Sequence, residues 1–307
     1  MTLPCIIDAR RFDVAAHLPF HIGDERVGWI RENDVALLAR WPDVFEIDGD
    51  AQSARVTLAA HFDSVPARSA ALASVIGALA ADGCIPGWRN ETYAIRNAFE
   101  APPLAFIERA ASRFFGTMTY AVHLNGVVEY ADSVSPGAPQ LWIARRSHTK
   151  ATDPGMLDNV VAGGIGWGFD IEATLVKECW EEAGIGADLA REARAGRTVH
   201  VLQSLPEGTQ AEQIFIYDLA LPADFAPHNQ DGEVAEHRLA RIDEVARWIE
   251  EGALTVDASL ATLDCLLRRR WIDEHACAGI DALFQPPPLG QAARTSCGPR
   301  PLKQTTH

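Results

Sequence analysis

The chain has 307 residues, of which 48% are hydrophobic and 22% are charged, and this mixture is typical of a globular protein that buries a sizeable core. The length suffices for one large domain or two ordinary ones. The formal net charge of −15 excludes nucleic acid as an expected partner, because binding to a phosphate backbone normally rests on a basic surface.

The first residues, MTLPCIIDARRFD, lack the charged and then apolar pattern of a signal peptide. No apolar run approaches the roughly 20 residues that span a bilayer. We therefore expect a cytoplasmic protein without a membrane partner. The six cysteines follow no CxxC spacing, which favours reduced thiols over a disulfide framework or a thiolate zinc site.

Residues 1–116 are predicted to form a smaller α/β region. Apolar residues recur at helical spacing in Asp34–Trp41, Val65–Ala81 and Leu104–Phe115, and Gly83 is placed to end the second of these helices. No chemically suggestive residues are gathered in this region. Its role is left open between covering a pocket, forming a homodimer and holding part of a substrate.

From residue 117 onward, the pattern changes to strands. The predicted strands are Thr119–Tyr130, Leu141–Ala144, Asn159–Ala162, Thr198–Leu205, Gln213–Leu221 and Gly232–Leu239, and the predicted helices that follow are Ile242–Glu251 and Leu260–His275. A Ser, Pro and Gly-rich loop is expected at Ser133–Pro139. The pattern predicts an α+β fold with a mixed sheet between helices over residues 117–280, and an extended or loosely held tail over residues 281–307.

An acidic helix is predicted between residues 171 and 183. Asp170 is a suitable N-cap, and Gly184 lies where a left-handed C-terminal cap belongs. Glu178, Glu181 and Glu182 fall within an arc about 100° wide on this helix. Like charges at this spacing cost a helix roughly 0.2–0.5 kcal/mol per pair, so the cluster requires either open solvent or a counter-cation.

A solvated acidic face and a magnesium site are both compatible with these three carboxylates. Mg²⁺ prefers carboxylate oxygens and keeps water and phosphate oxygens as its other ligands. Four glycines precede the helix, and such a loop lets the backbone approach a phosphate or a metal ion closely. They are Gly163, Gly164, Gly166 and Gly168. The glycines shift the balance towards a ligand site.

This segment resembles the box of the Nudix hydrolases, Gly-x5-Glu-x7-Arg-Glu-U-x-Glu-Glu-x-Gly-U, where U is a bulky aliphatic residue. Its second half aligns without gaps onto residues 177–185, and its first Gly falls on Gly163. Two positions differ, because Lys177 replaces the box Arg and Phe169 replaces the first Glu. The resemblance implies an α/β/α sandwich with a mixed sheet and hydrolysis of a diphosphate linkage.

The same resemblance assigns roles to the residues of the box. It implies that Glu178, Glu181 and Glu182 are ligands of Mg²⁺, with Mn²⁺ as a substitute. Lys177 would orient one of these carboxylates through an ion pair, although it lacks the guanidinium fork of arginine. The differences at Lys177 and Phe169 also leave room for a non-catalytic sensing or scaffold domain.

Several shorter runs resemble one branch of the family, the proteins related to the Nudix domain that is fused to thiamine pyrophosphokinase in some fungi. These runs lie at His123–Gly126, Leu141–Lys150, Asp153–Gly164, Glu172–Cys179 and Asp231–Val234. The resemblance implies hydrolysis of thiamine diphosphate, and preferentially of its oxidised or analogue forms, to the monophosphate. ADP-ribose or another nucleoside diphosphate derivative is the alternative substrate.

Residues outside the box complete the predicted site. Glu233 is the candidate general base or additional metal ligand, with Glu236 in reserve. A basic cluster, Arg145, Arg146 and Lys150, is expected to contact the diphosphate, unless it is only a surface patch that balances nearby acids.

Gly163 and Gly164 are expected to contact the substrate through their backbone. Trp167 is a candidate for stacking on a heterocyclic ring, although it could equally cap the core. His123 and Asn125 are possible neighbours of the pocket.

Overall fold

The computed structural model of the protein describes residues 3–49, 54–129, 138–273 and 277–287. Its α-helices are α1 (Pro4–Asp8), α2 (Glu32–Leu38), α3 (Val65–Ala81), α4 (Ser112–Phe115), α5 (Ile171–Ala183), α6 (Ala187–Ala190), α7 (Ile242–Glu250) and α8 (Val256–Arg268). Short 3-10 turns lie at Val14–Ala16, Arg109–Ala111 and Ile280–Phe284. Within these ranges, no helix has the length and apolar character required to cross a membrane.

A four-stranded sheet and a two-stranded sheet precede residue 117. Their strands are β1 (His17–Ile22), β2 (Glu25–Arg31), β3 (Phe45–Asp48), β4 (Arg55–Leu58), β5 (Thr92–Ile95) and β6 (Ala105–Glu108). The four-stranded sheet has the order β2-β1-β4-β3, with β1 parallel to β4 and the other pairs antiparallel. The two-stranded sheet pairs β5 with β6 in antiparallel fashion.

Helix α3 has the predicted bounds, because its sequence carries both a start and a stop signal. Ser64 Oγ accepts a hydrogen bond from the Ala67 amide at 3.4 Å, and Gly83 follows the helix with a φ of +77°. The predicted helix at Leu104–Phe115 is wrong over most of its length. Residues 105–108 instead form β6, since β5 supplies a hydrogen-bonding partner for this strand, and only α4 is α-helical.

A mixed sheet forms the second half of the molecule. Its strands are β7 (Met118–Val128), β8 (Gln140–Arg146), β9 (Leu157–Asn159), β10 (Val161–Gly164), β11 (Arg194–Leu205), β12 (Gly208–Ala220) and β13 (Val234–Arg241). Five of them are hydrogen-bonded in the order β11-β12-β7-β8-β13, while β10 pairs with β7 and β9 pairs with β8. Strands β12 and β7 are parallel, and the other pairs are antiparallel.

Helices cover both faces of this sheet. Leu175, Cys179 and Ala183 of α5 pack with β7 and β10 in one hydrophobic core. The other core contains α8, which is buried from Ala258 to Leu267. The predicted α+β class with a sheet between helices is therefore confirmed.

The strand predictions find the right segments but miss some of the ends. The predicted strand Asn159–Ala162 is two short strands, β9 and β10, that pair with different neighbours. Helix α8 begins four residues before the predicted Leu260 and ends at Arg268. Most of the predicted loop Ser133–Pro139, and the predicted tail beyond residue 287, lie outside the described residues.

Candidate active site

Helix α5 is fixed at both ends by the residues that the sequence indicated. Asp170 Oδ1 accepts a hydrogen bond from the Ala173 amide at 2.7 Å, and Gly184 follows the helix with a φ of +66°. The helix therefore spans the predicted residues 171–183.

Glu178 lies directly against Gly163 on β10. A Cβ atom at residue 163 would overlap Cγ and Cδ of Glu178 and would lie 2.8 Å from its Oε1. The side chain of Glu178 is only 14% exposed. Burial, followed by the charges of Glu181 and Glu233, raises the pKa of Glu178, although Lys177 opposes this shift.

Glu182 lies beside Ala162, the preceding residue of β10. Its Oε2 accepts a hydrogen bond from the Ala162 amide at 2.7 Å, and its Oε1 is 3.5 Å from Lys150 Nζ. The residue is 4% exposed. Burial raises the pKa of Glu182 to about 8, even though the charge of Lys150 and the Ala162 amide act in the opposite direction. Glu178 and Glu182 are thus two enclosed carboxylates beside consecutive residues of one strand.

Glu181 has a different environment from the other two carboxylates. Lys177 Nζ donates to Glu181 Oε2 at 2.6 Å and to Glu178 Oε1 at 3.1 Å, so one ammonium group joins both side chains. Within the described ranges, no three His, Cys, Asp or Glu side chains are grouped closely enough to hold a metal ion. The three carboxylates of the predicted cluster are therefore not grouped as metal ligands in this arrangement, in which Lys177 is paired with both Glu181 and Glu178.

The donors at β10 nevertheless fit a hard divalent cation. Glu178 and Glu182 supply carboxylate oxygens, the ligands that Mg²⁺ prefers. Burial and the charges of neighbouring carboxylates raise the pKa of both groups, which means that their ionised forms lack sufficient positive charge nearby. A divalent cation held by Glu178 and Glu182 would supply that charge.

Glu233 reaches the same region from the segment before β13. Its carboxylate accepts a hydrogen bond from Lys150 Nζ and lies 3.4 Å from Arg89 Nη1. Burial raises the pKa of Glu233, but the hydrogen bond and charge of Lys150, together with Arg89, outweigh burial and leave the pKa below its usual range. Lys150 therefore links Glu182 to Glu233.

Two of the predicted residues lie away from this region. Arg145 Nε donates to Glu236 Oε1 at 2.6 Å, and both residues line a separate cavity of about 240 Å³. Because neighbouring residues of a strand face opposite sides of a sheet, only Arg146 of the adjacent pair turns towards the main cavity. The prediction that Arg145 binds the substrate and that Glu236 is the reserve base is not compatible with this placement.

A large cavity of about 840 Å³ adjoins β10. Ala162 and Gly163 line this cavity and also contact Glu182 and Glu178, so the strand connects the carboxylates to the open space. The volume lies in the range of small-molecule sites. Arg146 lines the cavity as well, but its Nη1 is already paired with Asp158 Oδ2 at 2.6 Å.

Residues before position 117 form one wall of the cavity, which agrees with one of the roles left open for this region. The lining includes Arg89, Tyr93, Arg109 and Arg113. A Cβ atom on Gly164 would overlap the hydroxyl of Tyr93 and lie 3.6 Å from Arg109 Cζ. The absence of chemically suggestive residues from this region was therefore a wrong inference. The signal that could have found them is the basic residues near Tyr93 in an otherwise acidic chain.

Arg109 is the cation of this wall that lies beside Gly164. Its Nη1 donates to Glu91 Oε2 at 2.9 Å, and its side chain remains 41% exposed. Two of the four predicted loop glycines thus accommodate side chains, Glu178 at Gly163 and Tyr93 at Gly164, which differs from the expected approach of backbone to phosphate.

The remaining candidates occupy three different environments. Trp167 is 45% exposed and packs on Phe106, with ring centroids 4.8 Å apart, and it is not among the described residues that line the cavity. His123 lines the cavity, and its Nδ1 lies 2.8 Å from Asn159 Oδ1. Asn125 is buried and donates to Asp218 Oδ1 at 3.1 Å, a contact within the core.

Comparison with family models divides the chain into two matching segments. Residues 133–260 match the model described as NUDIX domain, and residues 2–119 match the model described as Domain of unknown function (DUF4743). The cavity is therefore lined by residues from both segments.

Two solved structures resemble the chain only distantly. A protein from Deinococcus radiodurans has a TM-score of 0.41 and 22% identity, with 59% of this chain and 100% of that chain covered. The NUDIX domain of Shewanella oneidensis NrtR, complexed with ADP ribose, has a TM-score of 0.39 and 15% identity, with 52% and 91% covered. Likenesses at this distance say nothing about the substrate.

Curated relatives are much closer. Nudix hydrolase 20, chloroplastic, of Arabidopsis thaliana is 38% identical over 274 residues, which cover 87% of this chain and 72% of the relative. Nudix hydrolase 24, chloroplastic, of the same plant is 40% identical over 265 residues, with 86% and 71% covered. The uncharacterized protein YJR142W of Saccharomyces cerevisiae is 32% identical over 200 residues, with 61% and 57% covered. The extent of the two plant alignments shows that the chain belongs to the Nudix hydrolases and is an enzyme of their type, a diphosphate hydrolase.

Proposed function

We propose that the protein hydrolyses the diphosphate linkage of thiamine diphosphate, and preferentially of its oxidised or analogue forms, to the monophosphate with Mg²⁺. The observation that carries the proposal is that Glu178 and Glu182 of α5 lie against Gly163 and Ala162 of β10, two residues that also line the cavity. The resemblance of the short sequence runs to the thiamine-related branch supports the choice of substrate. Nudix hydrolases generally use divalent metal ions, and the all-carboxylate donors favour Mg²⁺ among them.

Each group would have a separate task in the reaction. Water attacks a phosphorus atom, the bridging P–O bond breaks, and orthophosphate and the monophosphate are formed. Glu178 and Glu182 would hold the divalent ion, and Glu181 would join them if Lys177 releases it. That ion would offset charge on the phosphoryl oxygens and favour ionisation of water.

Proton transfer and substrate binding would fall to other residues. Glu233 is ionised at neutral pH and could accept the proton of the attacking water. Arg109 would bind phosphoryl oxygens from the opposite wall, because a guanidinium group can donate two parallel hydrogen bonds. Lys150 would keep Glu182 and Glu233 together.

A panel of diphosphates tests this function. The purified protein is incubated with Mg²⁺ and with thiamine diphosphate, oxidised thiamine diphosphate, ADP-ribose and other nucleoside diphosphate derivatives, and product release is measured. We expect the highest kcat/KM for the oxidised thiamine compound. A clearly higher value for ADP-ribose would overturn this choice of substrate in favour of a nucleoside diphosphate derivative.

Glu182→Gln is the matched variant for this assay. It should lose orders of magnitude in rate with an unchanged circular dichroism spectrum, because one ligand of the charge-neutralising ion is removed. Equal activity of variant and parent would contradict a catalytic site at Glu182 and would favour a non-catalytic role for these carboxylates. A homodimer and a cytoplasmic location stay predictions; both plant relatives are named chloroplastic.

A further inference from the structure

The cavity lining includes two carboxylates that share one amide group. Gln210 Nε2 donates to Glu212 Oε2 at 2.6 Å and to Asp257 Oδ2 at 2.9 Å. Gln203 Nε2 in turn donates to Gln210 Oε1 at 2.7 Å, which fixes the orientation of the Gln210 amide. All four side chains belong to residues that line the cavity. We call Glu212, Asp257 and Gln210 the acidic floor.

The acidic floor has unused capacity to accept hydrogen bonds. Both N–H groups of the Gln210 amide are already engaged, one by each carboxylate. Oδ1 of Asp257 is enclosed by protein and has no hydrogen-bond partner among the described residues. Burial and the charge of Glu212 raise the pKa of Asp257 to about 7. A buried carboxylate oxygen without a hydrogen bond costs free energy of folding. Oδ1 of Asp257 is therefore in a position to accept a hydrogen bond from a bound molecule.

A ligand with hydrogen-bond donors fits the acidic floor better than a metal ion does. The two N–H dipoles of Gln210 point their positive ends at the carboxylates and would repel a cation placed between them. Donors on a planar ring can approach the outer oxygens without displacing Gln210. Thr209, which lines the cavity, also has a buried hydroxyl without a partner among the residues described. The cavity is thus prepared for a polar molecule.

The sheet register sets the distance between the acidic floor and the proposed phosphate end of the site, which is the part beside Gly164 and Arg109. Gly164 on β10 is opposite Ala121 on β7, and Glu212 on β12 is opposite Thr119 on β7. The two backbone positions are therefore two strand spacings apart across the sheet and two residues apart along it, which together give a separation of about 12 Å. A diphosphate attached to a ring through a short linker spans such a distance.

We propose that Glu212 and Asp257, held in place by Gln210, bind the ring of the substrate and select a nitrogen heterocycle that presents an amino group or a positive charge. This inference rests on the proposed function, because it assumes that the phosphate end lies at β10. It makes Glu212 and Asp257 specificity-determining residues on the side of the sheet opposite α5. The carboxylates accept hydrogen bonds from the ring and take no part in the bond cleavage.

Binding measurements without metal test the acidic floor separately from hydrolysis. The chelator-treated full chain is titrated by calorimetry with thiamine monophosphate, cytidine monophosphate and ribose 5-phosphate. We expect both ring compounds, or thiamine monophosphate alone, to bind at least about tenfold more tightly than ribose 5-phosphate. Tighter binding of thiamine monophosphate than of cytidine monophosphate would assign part of the preference to the fixed positive charge. Equal binding of all three, or no binding, would overturn the proposal.

Asp257→Asn and Glu212→Gln are the informative variants. Each amide keeps one oxygen that can accept the hydrogen bond from Gln210, so the fold has little reason to change. Each should weaken binding of thiamine monophosphate about 10- to 100-fold and leave that of ribose 5-phosphate unchanged. Glu250→Gln, at an exposed position of α7, is the matched control and should bind like the parent.

The failure of one proposal is distinguishable from the failure of the other. A parent that binds the ring compounds selectively but hydrolyses no diphosphate with Mg²⁺ would retain the acidic floor and refute the catalytic proposal. A parent that hydrolyses the panel, with an unchanged KM for thiamine diphosphate in both variants, would refute the acidic floor alone. Either variant suffices if the other does not fold.

Discussion

Glu178 occupies the space that a side chain at Gly163 would need, so these two residues form one unit across the interface of α5 and β10. The glycine is required by this contact and not by its backbone, because Gly163 is not among the residues with a positive φ. A side chain introduced at residue 163 would therefore displace the carboxylate of Glu178, because that side chain moves more easily than the backbone of β10.

Gly163→Ala should displace Glu178 and weaken metal binding. We expect about a tenfold or greater loss in affinity for Mn²⁺ or Mg²⁺ by calorimetry and a corresponding loss in kcat, because ligands must be held closely in place. Gly186→Ala is the matched control, since a Cβ atom there meets no atom within 4 Å. Unchanged metal affinity in Gly163→Ala would remove Glu178 from the list of ligands.

Glu182 should make the metal-free protein sensitive to pH. Its pKa is about 8 in the folded protein and near 4.5 in the unfolded chain, so only the folded form holds a proton between these values. This contribution to stability is complete below the lower pKa and is lost as pH rises towards the higher one. The Tm of the chelator-treated parent should fall by several degrees relative to Glu182→Gln between about pH 5 and 8.

Added Mg²⁺ should reduce this difference, since a bound cation stabilises the ionised carboxylate. Parallel Tm curves for parent and Glu182→Gln over the same range would contradict the raised pKa.

Lys177→Arg should preserve or raise activity. Lys177 already joins Glu178 and Glu181, and arginine would keep both contacts with a fork that suits carboxylates. Steady-state kinetics with the best diphosphate of the panel measures this effect, and Lys177→Met, which keeps the length but not the charge, should reduce kcat. Inactivation by Lys177→Arg would mean that the box is misaligned with this sequence.

Arg109→Ala should raise KM for diphosphates about tenfold or more, because it removes a cation that lies beside Gly164. The fold should survive, since the partner Glu91 is partly exposed and can be hydrated. Arg247→Ala, at an exposed position of α7, is the control for the loss of one positive charge. A KM equal to that of the parent would show that this wall does not contact the phosphates.

Glu233→Gln should lower kcat about tenfold or more with a smaller effect on KM, as expected for a general base. The lowered pKa of Glu233 places the acid limb of the parent pH–rate profile below the usual range for glutamate, with activity lost as pH falls through that pKa. The variant should lack this limb. Glu192→Gln, an exposed change, should retain it. A limb that persists in Glu233→Gln would assign the titration to another group.

The bounds and the buried side of α5 were predictable because they depend on interactions between residues that are close in the sequence. Asp170 and Gly184 mark the ends of α5 by capping, and helical periodicity places Leu175 and Cys179 on the buried side. The sequence pattern could not show that Glu182 is buried as deeply as those residues. Its burial depends on the Ala162 amide at the open edge of β10, a long-range contact without a local signal.

Long-range pairing also explains the errors. The segment Leu104–Phe115 was predicted as one helix, but β5 recruits its first part into a ladder. Arg145 and Arg146 are adjacent residues of the same type, so the sequence alone does not distinguish them. The register of β8 decides which of the two faces the cavity. Arg109 was missed for the same reason, because nothing in its neighbourhood along the chain indicates that Gly164 is its neighbour in space.

The wall formed by Tyr93 and Arg109 lies in a different segment of the chain from the acidic helix, although both segments line one cavity. The segment that matches the Nudix model carries the acidic helix, whereas the segment that matches the other model supplies part of the surface that meets the ligand. If the cavity binds the substrate as proposed, exchanging either segment for a foreign counterpart would alter the cavity wall and with it the molecules that are accepted.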